Sequence, residues 1–240
     1  MIKLKHIFLF FTSIILTVFT SSLRAQKTSI ENTASDSITA PTDYYGLRLG
    51  VDISKPIRSF LDDNYKGLEL VADFRLKKNY YVAAEIGNET WNSDLPNLEN
   101  TTSGSYIKAG FNYNTYENWF GMNNLIYAGV RAGFSSFSQE LESYTIYTTN
   151  PVFGDDTRSV SQEFKGLNAT WLELKIGLEV ELFSNIYLGV NAQLKRTITT
   201  TDPDGYSNLY IPGFGELTEG TPIGIGYGYT LSYLIPIFKK

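Results

Sequence analysis

A chain of 240 residues with 25 acidic and 20 basic side chains carries a formal charge of −5, a balance that gives no support to a nucleic-acid partner. It has no cysteine, which excludes disulfides, thiolate metal sites, cysteine nucleophiles and a lipid-anchored lipoprotein. A mean hydropathy of −0.15 argues against helical membrane spans, while 17 Tyr and 20 Gly suit many strands joined by tight turns.

Lys3 and Lys5 precede an apolar run over residues 7–19, and Ser21-Ser22-Leu23-Arg24-Ala25 then places a small residue before Gln26. These are the three regions of a secretory signal over residues 1–25, with an apolar core too short for a membrane span. Cleavage there also removes His6, the only histidine, and leaves a more acidic mature chain with neither His nor Cys. Residues 26–43 are polar and rich in Ser and Thr, the composition of a disordered periplasmic leader. Within it, Asp36-Ser37-Ile38 resembles a short O-glycosylation acceptor of some Gram-negative phyla, a match of only three residues.

From residue 44 onward the chain alternates with period two. In the first strand Tyr45, Leu47, Leu49, Val51 and Ile53 share an apolar face, opposite Tyr44, Gly46, Arg48, Gly50 and Asp52. Residues 55–65, with Pro56 and Asp62-Asp63-Asn64, read as a loop. The second strand, 66–76, sets Leu68, Leu70, Ala72 and Phe74 against Glu69, Asp73 and Arg75. After the turn Lys77-Lys78-Asn79, the third strand, 80–91, sets Val82, Ala84 and Ile86 against Tyr81, Glu85 and Glu89. A loop over 92–102 leads to the fourth strand, 103–115, where Ile107 and Phe111 oppose Lys108. The fifth, 124–136, opposes Val130 and Phe134 to Tyr127, Gly129, Arg131 and Gly133. The longest connection, 137–169, has flanks that can prolong both neighbouring strands. The sixth, 170–182, alternates Leu172, Leu174, Ile176 and Leu178 with Glu173, Lys175, Gly177 and Glu179. Phe183-Ser184-Asn185 turns into the seventh, 186–199, whose polar face holds Lys195. A loop rich in Pro and Gly, 200–221, precedes the eighth strand, 222–238.

The seven connections alternate long and short, which places both chain ends at the short-turn side. Strands of about ten residues or more fit a tilted membrane crossing better than the usual five or six. Aromatics gather near the strand ends, with Tyr45, Tyr80, Tyr81 and Phe183 on one side and Phe60, Trp91, Tyr106, Phe137 and Trp171 on the other. That is the pattern of two interfacial girdles. The fold predicted for residues 44–240 is therefore all-β, an eight-stranded antiparallel up-and-down transmembrane β-barrel with lipid outside and charge inside. A soluble calycin-like ligand binder of the periplasm, its apolar face inward, is the rival architecture.

The signal segment, eight alternating strands and a final strand ending at Phe238 resemble the small outer-membrane barrels of the OmpA and OmpX type. Within that set the chain is similar to an uncharacterised barrel family of Gram-negative bacteria; its Lys239-Lys240 tail departs from the usual terminal aromatic. The resemblance implies the cell outer membrane as location, with both termini periplasmic. It implies contact with outer-membrane lipid and lipopolysaccharide, insertion by the barrel-assembly machinery, and no catalytic motif.

With the polar faces inward, the expected lumen network is Arg48, Asp52, Glu69, Asp73, Arg75, Glu85, Lys108, Arg131, Glu173, Lys175, Glu179 and Lys195. Glu69 or Asp73 is expected to pair with Arg48, and Glu173 or Glu179 with Arg131, because a buried charge without a partner costs several kcal/mol. Tyr44-x-Gly46-x-Arg48-x-Gly50 and Tyr127-x-Gly129-x-Arg131-x-Gly133 echo one another, consistent with a duplicated four-strand unit, and their glycines leave room for a guanidinium. An eight-stranded lumen is just wide enough to be filled by its own side chains, so a plug is expected rather than a pore.

Without histidine a Ser–His mechanism is unavailable to the mature chain, and Glu173 with Glu179 fits a lumen network better than acid–base chemistry. Gly224-x-Gly226-x-Gly228 lacks the following helix that a dinucleotide loop requires; small residues sealing the last strand to the first are expected instead. Asp202, Asp204 and Asn208 have the oxygen spacing of a calcium-loop fragment, but no twelfth-position Glu follows and a surface turn is the simpler reading. No metal or cofactor is expected. The aromatic-rich connections 137–169 and 200–221 are expected to be external and to offer a surface to a protein or glycan, or to pack on themselves over the rim. The expected role is structural or surface-interacting and non-enzymatic, with a narrow passive channel for small solutes as the alternative.

Overall fold

The alternating strands from Tyr44 onward close into a ring. The computed structural model describes residues 44–95, 97–116, 124–146, 156–203, 205, 207–217 and 221–239. The signal segment and leader, with Asp36-Ser37-Ile38, lie outside them, as does Asp204. The barrel strands are β1 (Tyr44–Asp52), β2 (Tyr65–Lys77), β3 (Tyr80–Leu95), β4 (Leu98–Asn114), β5 (Leu125–Ile146), β6 (Asp156–Phe183), β7 (Ile186–Thr200) and β10 (Ile223–Lys239). Each pairs antiparallel with the next in sequence, and β10 pairs back onto β1. Closure leaves no sheet edge along the paired wall. A short helix, α1 (Ser54–Leu61), follows β1, and a two-stranded hairpin, β8 (Tyr210–Ile211) with β9 (Gly215–Glu216), lies between β7 and β10.

The faces point as a membrane requires. Leu70, Leu174 and Val190 project outward, about half exposed, whereas Arg48, Glu85 and Glu173 are buried inside. This inversion is the arrangement of a transmembrane β-barrel and the reverse of a soluble calycin. The apolar rows end together on adjacent strands, at Lys66, Asn88, Ser105, Ser136 and Thr170. Above that line the outer surface is polar: Asn88 donates to Ser105 at 3.0 Å, and the hydroxyls of Thr170 and Thr199 lie 2.6 Å apart. At the other end, where the β2–β3 and β6–β7 turns are short, Tyr80 and Tyr113 pack outward with ring centres 5.1 Å apart.

Several sequence expectations change. Residues 55–61, read as loop, belong to α1. The Asp52 carboxylate fixes the turn into it by accepting Ser54 N and Oγ at 2.9 and 2.6 Å, and Pro56 is tolerated because it stands in the first turn. Ile57, Phe60 and Leu61 have the i, i+3, i+4 spacing of a helix stripe, too brief over two turns to stand out. The register shifts between Tyr45 and Gly46, and this bulge turns Tyr45 from the expected apolar face into the lumen. Much of 92–102 and 137–169 is strand rather than loop. β5 and β6, 22 and 28 residues long, run as a paired ribbon far beyond the apolar belt.

The second aromatic girdle is not formed as expected. Tyr106, Phe137 and Trp171 are buried inside the barrel with Leu167, Ala169, Ile211 and Phe214, as the apolar core of its mouth. Only a turn of the chain over the rim, invisible to local periodicity, gives these inward aromatics something to pack on.

Candidate functional site in the barrel lumen

Three layers fill the lumen. Nearest the short turns, Arg48 faces Asp73 directly across the β1–β2 register and donates to it from Nε at 2.9 Å and Nη2 at 2.8 Å. Its Nη1 meets Glu179, and its guanidinium lies 5.7 and 5.2 Å from the ring centres of Tyr81 and Tyr187. Planarity lets one arginine serve two carboxylates and two aromatic faces together. Arg75, 4.9 Å from the Tyr45 ring centre, donates to Lys78 O at 2.7 Å and so ties the β2–β3 turn to the lumen.

Glu85 centres the second layer. It pairs with Lys108 at 2.6 Å, Lys175 at 2.6 Å and Arg131 at 3.3 Å, from three different strands. Lys108 also meets Glu69 at 3.0 Å, and Glu69 accepts Tyr106 Oη at 2.6 Å. Arg131 therefore takes Glu85, not the Glu173 or Glu179 expected for it. Its Nη1 donates to Phe111 O and Val130 O and its Nη2 to Asn112 Oδ1, which draws the side chain toward β4. Glu173, fully buried, has Lys108 at 4.0 Å and no hydrogen bond to either oxygen among the described residues. The echoing arginines thus bind different partners. Asp52 is buried too, but its Oδ1 serves the turn into α1 and Tyr229 N rather than a cation.

Two residues outside the expected network, Glu89 and Lys55, organise the third layer. Glu89 accepts Lys55 Nζ at 2.5 Å, Tyr65 Oη at 3.0 Å, Tyr210 Oη at 2.6 Å and Gly213 N at 2.9 Å. Lys55 lies on α1, outside the membrane-spanning strands. Burial would depress its ammonium, but Glu89 and then Glu69 outweigh that, and its pKa is raised. The Tyr210 phenol is raised by burial and by Glu89. The alternation marked Glu89 as inward-facing, while Lys55 sat in what reads as loop.

Lys195 belongs to this layer. It is buried and donates to Gly213 O at 2.9 Å and Phe214 O at 3.1 Å, the backbone of the β8–β9 turn. The hairpin is thereby held inside the mouth. Gly213, at φ +81°, lies where a Cβ would meet the Tyr106 ring at 2.5 Å. The inward glycines of β10 make room for side chains rather than sealing the seam: a Cβ at Gly224 would meet Phe214 at 2.9 Å, and one at Gly228 would meet Asp52 at 2.7 Å. Asp202 accepts Asn208 N at 3.2 Å and Nδ2 at 2.8 Å, so its carboxylate is engaged by amide donors in a turn.

With a closed barrel, an apolar exterior and an ionic interior in place, the family can be stated. The chain belongs to the family described as a domain of unknown function, DUF6048. The family model matches residues 7–240. No curated protein matches this DUF6048 member. Among solved structures it is similar to Ail, the attachment invasion locus protein of Yersinia pestis, at 10% identity and a TM-score of 0.38, over 79% of this chain and 96% of that one. It is also similar to CarO2 of Acinetobacter baumannii, at 7% identity and a TM-score of 0.36, over 81% of this chain and 99% of that one.

Proposed function

We propose that the protein is a non-enzymatic outer-membrane barrel whose filled lumen is a rigid frame for a surface-interaction role. One observation carries the reading: Glu85 gathers Lys108, Lys175 and Arg131 from three strands at the centre of the lumen. A carboxylate shared by three cations bridges a lumen of this width and narrows the path left for water. The plug hairpin on Glu89 adds a second closure above it. The β5–β6 ribbon, rising beyond the apolar belt with an exposed polar surface, is the part best placed to meet a protein or glycan. Outer-membrane lipid and lipopolysaccharide surround the belt in this reading, both termini face the periplasm, and the barrel-assembly machinery inserts the chain.

Planar-bilayer recording on purified protein is the test. Silence at moderate voltage is expected. A steady conductance would replace the frame with a narrow passive channel, and would identify the Glu85 cluster as its constriction.

A further inference from the structure

One side of the barrel wall is incomplete. β1 ends at Asp52, opposite Thr230 of β10, and the next backbone bond, Ile53 N to Tyr229 O at 2.7 Å, is the last on that seam. Above it β10 continues to Ile223 and β2 to Tyr65, with no strand between them. α1 stands in the space and is tied to β2, where Gly67 N donates to Ser59 Oγ at 2.9 Å. Among the described residues no backbone hydrogen bond joins α1 to β10 above Tyr229. A slot therefore runs between α1 and β10.

Exposure marks the slot. Ile225 is 84% exposed, against 57% for Leu174 in the fully paired wall. α1 itself carries Phe60 at 88% and Leu61 at 82% exposure. Such side chains at the upper margin of the apolar belt are adapted to hydrocarbon, not to water. The edge of β10 facing the slot also presents backbone groups without strand partners, which a lipid environment penalises unless something polar reaches them.

Behind the slot lies a cavity of about 250 Å³, lined by Ile225 and Tyr227 of β10 and by Ser54, Lys55 and Arg58 of α1. Its charged lining is Lys55, Arg58, Lys195 and one carboxylate, Glu89. Lys55 engages Glu89. Lys195 hydrogen-bonds only to carbonyls; Glu173 faces it across the β6–β7 register but makes no ion pair with it within 4.0 Å among the described residues. Arg58 lies 4.2 Å from the Tyr65 ring centre, with Asp62 at 3.4 Å and Glu216 at 4.0 Å as its carboxylates. A buried ammonium whose hydrogen bonds all go to neutral oxygens can take a closer anionic partner, and an anion entering the cavity supplies one.

We propose that the slot binds an anionic amphiphile. Its phosphate or carboxylate headgroup sits in the cavity against Lys195 and Arg58, and its hydrocarbon chain leaves between α1 and β10 into the surrounding lipid. This rests on the membrane placement above and goes beyond the surface role.

The test is isothermal titration of the full-length protein in a neutral detergent with dodecyl phosphate and, separately, inorganic phosphate. Dodecyl phosphate is expected to bind at least roughly tenfold more tightly than inorganic phosphate, because only it fills the slot. Arg58→Gln and Lys195→Gln are each expected to weaken it about tenfold, the effect of one charge-assisted contact. Phe60→Ser, at an exposed position that no core depends on, is expected to weaken dodecyl phosphate and leave inorganic phosphate unchanged; it and Arg58→Gln keep the test open if Lys195→Gln fails to fold. Absence of dodecyl phosphate binding, equal affinity for the two ligands, or indifference to both charge substitutions would each overturn the proposal. Failure of the membrane placement itself would be seen separately, as protein that stays dispersed without detergent.

Discussion

The carboxylate of Glu89 on β3 accepts the hydroxyl of Tyr210 on β8 at 2.6 Å, a contact across 121 residues that pins the β8–β9 hairpin in the mouth of the barrel. Tyr210 in turn stacks on Trp91, ring centres 5.1 Å apart. Glu89→Ala leaves Lys55, Tyr65, Tyr210 and Gly213 N without their shared acceptor. Breaking such a buried pair costs about 3–5 kcal/mol. The hairpin is expected to lift, exposing β8 and β9 to protease and changing Trp91 fluorescence. Bilayer current is expected to stay absent if, as proposed, the Glu85 layer below closes the lumen.

Arg131→Leu tests that lower layer. It removes one of three cations from Glu85 and leaves Asn112 Oδ1 without its donor. A loss of roughly 3 kcal/mol is expected, seen as a lower temperature for the heat-induced gel shift of the folded barrel. A steady conductance with unchanged thermal stability would instead make the cluster a gate.

How far these contacts were legible in the sequence depends on their range. Arg48 and Asp73 face each other on adjacent strands, so a period-two reading brings them within reach. Arg131 and Glu173 also face each other in register, yet Arg131 turns to Glu85 two strands away in the other direction. Strand pattern fixes which face a residue occupies but not which way a long side chain leans across a closed lumen. Tyr106, Phe137 and Trp171 make the same point: their inward direction follows from alternation, but the hairpin that covers them comes from a loop with no period at all.

Gly213→Ala separates backbone strain from steric exclusion. Gly213 and Gly205 both have positive φ, but only at Gly213 does a Cβ meet another group, the Tyr106 ring. Gly205→Ala is expected to cost about 1 kcal/mol from conformation alone. Gly213→Ala is expected to cost more and to unseat the hairpin, with the same protease sensitivity as Glu89→Ala.

Alkaline pH is expected to release the plug. Lys55 titrates near 10.5 when unlatched and above that when paired with Glu89, so its contribution is complete below the ordinary value. Above it the unlatched state sheds its proton first, and stabilisation falls as pH rises toward the raised value. Tyr210, also raised, has the same sign: its neutral phenol is favoured in the latched state, and that preference is lost as pH climbs. Trp91 fluorescence is therefore expected to be flat on their account from pH 7 to about 9 and to change above it. Lys55→Gln is expected to weaken the alkaline transition.

Leu174→Arg and Gln162→Arg, both on β6, place the same charge at two heights. Leu174 is outward and apolar within the belt, between Val130 and Leu194 on its neighbouring strands. An arginine there faces hydrocarbon and is expected to cost about 2–4 kcal/mol of folding free energy in bilayers. Gln162 lies on the β5–β6 ribbon, exposed and opposite Leu141, beyond the line where apolar rows give way to Asn88, Ser105 and Thr170. There the arginine meets water or headgroups and is expected to change stability by less than about 0.5 kcal/mol. Measured by denaturant titration in lipid vesicles, a large effect at position 174 with none at 162 is expected of a strand whose outward apolar face alone meets hydrocarbon. Equal small effects at both would mean that the apolar face of β6 is not in hydrocarbon, and the barrel would have to find another cover for it.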